Sequence, residues 1–125
     1  MKLGSLFLCL ACLLALPAGN AASAQHTTIT CPYLKAAELK FAVPEKLGDL
    51  PEIDFFYPSK ATLFVFRKET FLVVAIDQDE PSRVRIVISA QRNRARGTYD
   101  GQIVVDMGGN EIQLYNGPVS CRASR

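Results

Sequence analysis

The stretch Ala61–Ala90, ATLFVFRKETFLVVAIDQDEPSRVRIVISA, decides the fold. Three runs rich in β-branched and aromatic residues, Ala61 to Phe66, Phe71 to Asp77 and Arg83 to Ala90, are separated by the polar connections Arg67-Lys68-Glu69-Thr70 and Gln78-Asp79-Glu80-Pro81-Ser82. Runs of this length and composition between turn residues read as strands. Connections so short join antiparallel neighbours, so the three strands form a meander.

The turns also set registers. With Lys68 and Glu69 at the first tip, Phe66 faces Phe71, Val65 faces Leu72, Phe64 faces Val73 and Leu63 faces Val74. A five-residue second turn puts Asp77 opposite Arg83 as a charge pair, Ile76 opposite Val84, Val74 opposite Ile86 and Leu72 opposite Ile88. The aliphatic residues then share an inner face, and Phe64, Phe66, Phe71, Val73 and Val87 fall on the outer one. Small domains seldom expose several aromatics together. Either the N-terminal half covers this face, or Phe64 and Phe66 belong to a partner-binding patch.

Outward from this stretch, Thr98 to Met107 and Glu111 to Ser120 continue the strand pattern, separated by Gln91 to Gly97 and Gly108-Gly109-Asn110. On the N-terminal side Thr27 to Cys31 reads as a first strand, and Glu38 to Val43 alternates as a half-buried strand would. Residues 32–40 also fit a short helix opened by Pro32, with Tyr33, Ala36, Ala37 and Lys40 at helical spacing, and both readings stand. Pro44 to Pro58, with three prolines, reads as a long ordered loop holding a short strand near Ile53 to Phe56. The expectation is an all-β fold, a small antiparallel meander closing into a barrel or sandwich.

The first 24 residues have the build of an export signal. Lys2 is the positive start, Leu6 to Leu16 is an uncharged apolar run, and Ala22-Ser23-Ala24 is a small-x-small cleavage site before Gln25. That run is too short for a bilayer-spanning helix, which needs roughly 20 residues. A lipoprotein signal would want Leu before the acylated cysteine, but Cys9-Leu10-Ala11 precedes Cys12. The expected mature domain is residues 25–125, in the periplasm or, alternatively, outside the cell. The absence of any Asn-x-Ser/Thr sequon and the preference for Arg over Lys lean towards a Gram-negative source.

Cleavage removes Cys9 and Cys12, leaving Cys31 and Cys121 near the two ends of the mature chain. In an oxidising compartment they form one disulfide, which would pin the two terminal strands together. Without Lys2, thirteen basic residues stand against twelve acidic ones, a net charge of +1. So small a charge argues against nucleic acid as a partner.

Catalytic groups are few. His26, the only histidine, lies at the expected mature N-terminus, so neither a histidine-based triad nor a zinc site is expected. Asp77, Asp79 and Glu80 read as a solvated hairpin tip, and Glu52 with Asp54 is a second pair; neither is set across a cleft as glycosidase chemistry requires. Gly97, Gly108 and Gly109 read as turn glycines, because no strand-to-helix transition follows to cradle a phosphate. No metal or cofactor is expected, and the chain reads as a non-enzyme.

Arg92, Arg94 and Arg96 form the sharpest charge feature. On extended backbone, alternate residues project from one side, with Arg83 and Arg85 expected close by. Such a cluster can grip a partner's carboxylates. A disulfide-bonded, all-β exported domain of this size is similar in outline to periplasmic lysozyme inhibitors and to immunity proteins that neutralise envelope-targeted effectors. The Ser-Ala-Ser-Gly run of C-type lysozyme inhibitors is not present, Ser89-Ala90-Gln91-Arg92 being a poor substitute, so no inhibitory residue is carried over from them. The expected function is a binding protein that occludes an envelope hydrolase or toxin, using Arg92, Arg94 and Arg96 or Asp79 and Glu80. The alternative is a structural or assembly factor of the envelope, or a small-ligand or lipid carrier using a barrel interior.

Overall fold

A computed structural model describes residues 26–125 together with Gly19; the expected signal peptide, with Cys9 and Cys12, otherwise lies outside the described residues. Seven strands follow one another: β1 (Thr28–Leu34), β2 (Ala37–Ala42), β3 (Ser59–Phe66), β4 (Thr70–Asp77), β5 (Val84–Asn93), β6 (Thr98–Asp106) and β7 (Leu114–Ser124). All pair antiparallel in one sheet, ordered β2-β1-β7-β6-β5-β4-β3, which curls into a half-barrel. Residues 32–40 form the β1–β2 hairpin, which decides between the strand and helix readings. Among the described residues no helix is long and apolar enough to cross a membrane.

The first and last strands lie side by side. The pairs Thr28–Ser124, Ile29–Ala123 and Thr30–Arg122, continued by one step, bring Cys31 opposite Cys121, and these two are disulfide-bonded with Cα atoms 4.3 Å apart. That spacing belongs to the closer, non-hydrogen-bonded kind of antiparallel pair. Both cysteines sit inside their strands rather than at the ends where the sequence reading placed them, because β1 and β7 each run three residues further. Both are fully buried.

The first hairpin has the expected register: Leu63 faces Val74, Phe64 faces Val73, Val65 faces Leu72 and Phe66 faces Phe71. The second begins as expected, with Ile76 opposite Val84, and then slips. A bulge at Arg85 moves Ala75 opposite Ile86, Val74 opposite Val87 and Val73 opposite Ile88. One extra residue on one strand reverses which side chains share a face. The core therefore takes the face read as outer: Phe71, Val73 and Ala75 join Ile86, Ile88 and Ala90, all buried. Of the residues read as inner, Leu63, Leu72, Val74 and Ile76 turn to the outside while Ile86 and Ile88 stay in the core. Val87, read as outer, joins Leu63, Val74 and Val104 in one continuous row across four strands of the outer face.

Aromatic rings fill the half-barrel. Phe71 is fully buried and touches Phe41, Phe64, Phe66 and Tyr99, with ring centroids 6.0 to 6.3 Å apart. Phe41 on β2 meets Phe64 on β3 edge-to-face at 6.0 Å. The two free edges of the sheet thus approach through side chains, with no backbone ladder between them. Residues 43–58 run along this gap. They contain no strand, correcting the short strand expected near Ile53, but they bury Pro51 and Ile53 against the core. Three prolines suit a segment that closes a gap without donating to a ladder.

Candidate functional site

The two ends of the half-barrel differ in what they do with charge. At the end holding the β4–β5 and β6–β7 connections, buried ion pairs consume the charges. The Arg83 side chain donates to both Asp106 carboxylate oxygens, Nε to Oδ2 at 2.6 Å and Nη2 to Oδ1 at 3.0 Å. Arg85 donates to Asp77 Oδ2 at 2.7 Å and to the Gly108 carbonyl at 2.6 Å, with its guanidinium 4.1 Å from the Tyr57 ring centroid. Asp77 Oδ1 accepts the backbone N–H groups of Asp79 and Glu80 at 2.8 and 3.0 Å. The Arg83 guanidinium, joined by the Gln113 and Gly108 N–H groups, holds the Asp106 carboxyl well below the usual range against an opposing desolvation. These are the partners of a structural clamp, satisfied throughout. The expected Asp77–Arg83 ion pair is replaced: Asp77 pairs with Arg85, and Arg83 crosses to Asp106, because the bulge swings Arg85 inward. Asp79 and Glu80 stay exposed at this end, away from the Arg92 cluster.

The opposite end holds the β3–β4 and β5–β6 turns and both ends of the described chain. Arg92, Arg94 and Arg96 are all exposed, but they do not project as one row, because strand β5 stops at Asn93 and the chain turns over Arg94 to Gly97. Gly97 takes a φ of 67°, which glycine adopts without strain, and its N–H donates to the Asn93 carbonyl at 2.9 Å. Arg94 pairs with Glu69 at 2.7 Å and holds that carboxyl below its usual range, although both side chains are at least half exposed. Such a pair contributes little to stability and exchanges readily. Arg96 stands 3.8 Å from Asp100. Arg83 and Arg85 lie at the far end of β5, not beside this cluster.

Arg92 is drawn into a different grouping. It shares an open depression of about 380 Å³ with Arg67, Lys68 and Arg125, and none of the ten lining side chains is acidic. The floor is fixed: the Tyr99 hydroxyl shares its single proton between the Arg67 and Lys68 carbonyls at 3.0 and 3.2 Å, and the Arg92 N–H donates to the Glu69 carbonyl at 2.9 Å. Sequence reading missed Arg67, Lys68 and Arg125 because they come from the β3–β4 turn and the last residue, and it is the β6–β7 pairing, with Tyr99 opposite Cys121, that brings the end of the last strand here. Their one sequence signal was position, next to turns at the same end of the meander.

A second recess adjoins the first and shares Phe66 and Arg67 with it. About 250 Å³ in volume, it lies between β3 and the turn after β2, with Val43, Pro44, Leu47, Phe64 and Val65 supplying apolar walls. Phe64 and Phe66 are half-buried; their rings serve the core, and they meet this recess only at its base. A larger, shallow groove of about 700 Å³ crosses the outside of β5, β6 and β7. Part of its polar lining is engaged internally. Gln102 donates to Asn116 at 2.6 Å, and Asp100 accepts from Ser120, Thr98 and Asn93 at 2.6 to 2.8 Å, which lowers its pKa to about 2.

Among the described residues no three His, Cys, Asp or Glu side chains gather as metal ligands would. His26 sits 3.5 Å from Glu45, both exposed. No protein-family model matches the chain, and no curated protein or solved structure matches it.

Proposed function

We propose that the protein is an exported, non-catalytic binding protein of the inhibitor or immunity type, which presents its basic end to an acidic surface of an envelope-targeted enzyme or toxin. The observation that carries this reading is the depression shared by the side chains of Arg67, Lys68, Arg92 and Arg125, in which no lining side chain is acidic. Four cationic side chains gathered at one end of the sheet, none in an ion pair among the described residues, favour carboxylates brought by another molecule. Arg94 and Arg96 flank it and can trade weak internal pairs for the partner's charges. The carrier alternative has less support, because Phe71, Ile88, Ile103 and Val105 fill the interior it would use.

The test is co-purification from the periplasm of the source bacterium, with wild type beside the triple variant Arg67→Glu, Lys68→Glu, Arg92→Glu. One stoichiometric hydrolase or toxin, retained by wild type and lost by a variant with unchanged circular dichroism and melting, is the expected result. Equal retention by both would remove the basic end from the interface. Several envelope components, or lipid, would favour the structural or carrier alternative.

A further inference from the structure

The two edges of the sheet are guarded unequally. On β2, Glu38 and Lys40 project into solvent, the charged guard expected on a free edge. The end of β3, Leu63-Phe64-Val65-Phe66, carries no charge and no proline. The pairing also fixes which of its backbone groups are unused. The Arg67 N–H donates to the Thr70 carbonyl, so in the alternation of antiparallel pairs Val65 and Leu63 bond inward to β4, while the N–H and C=O groups of Phe64 and Phe66 point to the open side. Among the described residues no backbone hydrogen bond joins the segment after β2 to this edge. That segment instead stands off and forms the far wall of the 250 Å³ recess, with Leu47 wholly exposed at a tight turn where Gly48 has a φ of 93°. Lys46 and Arg67 line the recess with Asp49, and neither cation forms an ion pair among the described residues.

We propose that the Phe64–Phe66 edge of β3 is a docking site for an extended, acidic segment of a protein partner, which adds to the sheet as an eighth strand. The inference rests on reading the protein as a binding module and names the form in which the partner arrives. Two unpaired residues offer four hydrogen bonds to an extended backbone, the apolar walls take alternate side chains, and Lys46 and Arg67 select for carboxylates. The recess shares Phe66 and Arg67 with the basic depression, so a segment leaving this edge at Arg67 passes next to the four cationic side chains. A second copy pairing here would bring Lys46 and Arg67 against their own duplicates, which disfavours self-association.

The probe is a synthetic seven-residue peptide alternating Val and Thr between two terminal Asp residues, titrated into the purified protein and followed by amide hydrogen exchange. In the free protein the Phe64 and Phe66 amides exchange fast while those of Leu63 and Val65 are protected; the peptide should slow Phe64 and Phe66 at least tenfold. A peptide N-methylated at alternate residues, or the Lys46→Glu, Arg67→Glu variant with the original peptide, should abolish that protection. Protection equal with the methylated peptide, no protection at millimolar peptide, or protection at Phe64 and Phe66 from concentration-dependent dimerisation alone would each overturn the proposal. Loss of the co-purified partner in the basic-end variant together with unprotected edge amides would overturn the strand addition and leave the binding function standing.

Discussion

Adjacent residues on β4 should answer to truncation in opposite ways. Val73 is fully buried between Ile88 across the strand pair and the aromatic cluster, whereas Val74 belongs to the half-exposed outer row with Leu63, Val87 and Val104. Val73→Ala removes two buried methyl groups, about 1.6 kcal/mol of transfer free energy, and the cavity left behind raises the total to about 2–3 kcal/mol. Val74→Ala loses only partly buried methyls and leaves no cavity, so about 0.5–1 kcal/mol is expected. Urea titration followed by far-ultraviolet circular dichroism compares the two, with equal m-values required so that the difference reports stability rather than a changed denatured state. The charged pair is more severe: Val74→Asp should stay folded, and Val73→Asp should not. The two hairpins without a bulge demand the reverse order. If Val74→Ala costs more than Val73→Ala, the slip at Arg85 is wrong and so is every assignment of side chains to inside and outside that depends on it.

Other parts of the structure give independent tests. Reduction of the Cys31–Cys121 bond opens a loop spanning 90 residues, for which chain entropy gives about 4–5 kcal/mol; a reduced protein within about 1 kcal/mol of the oxidised one by urea titration would contradict the pairing. Gly101→Ala should destabilise strongly, because a methyl there would overlap the Ser89 carbonyl oxygen of the neighbouring strand; an unchanged melting temperature would place β5 and β6 further apart than described. Asp106→Ala strips both buried arginines of a partner and should cost about 3–5 kcal/mol, whereas a small effect would mean that water replaces the carboxylate. The Asp100 carboxyl has a pKa lowered from 3.8 to about 2 by its Ser120, Thr98 and Asn93 hydrogen bonds, so its contribution is complete above the higher value and fades as pH falls towards the lower. The stability difference between wild type and Asp100→Asn should therefore shrink across that acid window; a constant difference would refute the hydrogen-bond assignment.

Strand order in the meander, the disulfide and the first hairpin register were legible because each depends on simple signals: turn length, alternation, and two cysteines outside the expected signal segment. The inner and outer faces were not. Phe71-Leu72-Val73-Val74-Ala75-Ile76 is apolar at every position, so alternation cannot choose a face, and one bulge decides it. Nothing in Arg83-Val84-Arg85 signals the bulge, since its cause is distant: Arg85 turns in to meet Asp77 and the Gly108 carbonyl, and Arg83 reaches Asp106 across the sheet. The basic end was half legible. Arg92, Arg94 and Arg96 stood out in sequence, yet two of them are engaged by Glu69 and Asp100, and the cations of the depression come from segments far apart in the chain.

The net charge of +1 over residues 25–125 conceals a separation that sequence counting averages away. Arg67, Lys68, Arg92, Arg94, Arg96 and Arg125 stand at one end with Glu69, Asp100, Glu45 and Asp49, while Asp79, Glu80 and Glu111 stand exposed at the other, where Arg83 and Arg85 are used up inside the clamp. A cleft lined by one sign of charge attracts its counter-charge over a Debye length, about 8 Å at physiological ionic strength, whatever the total on the molecule. The excluded partner classes therefore cannot be read from net charge alone. Position can be separated from total charge with two triple variants of equal charge change. Arg67→Glu, Lys68→Glu, Arg92→Glu empties the basic end, and Lys35→Glu, Lys40→Glu, Lys60→Glu alters exposed lysines elsewhere on the sheet. On a sulfonate cation-exchange column at neutral pH, wild type should be retained despite its small net charge, the first variant should pass through, and the second should elute between them. If both variants elute together, retention follows total charge, and the basic end has no field of its own with which to steer a partner.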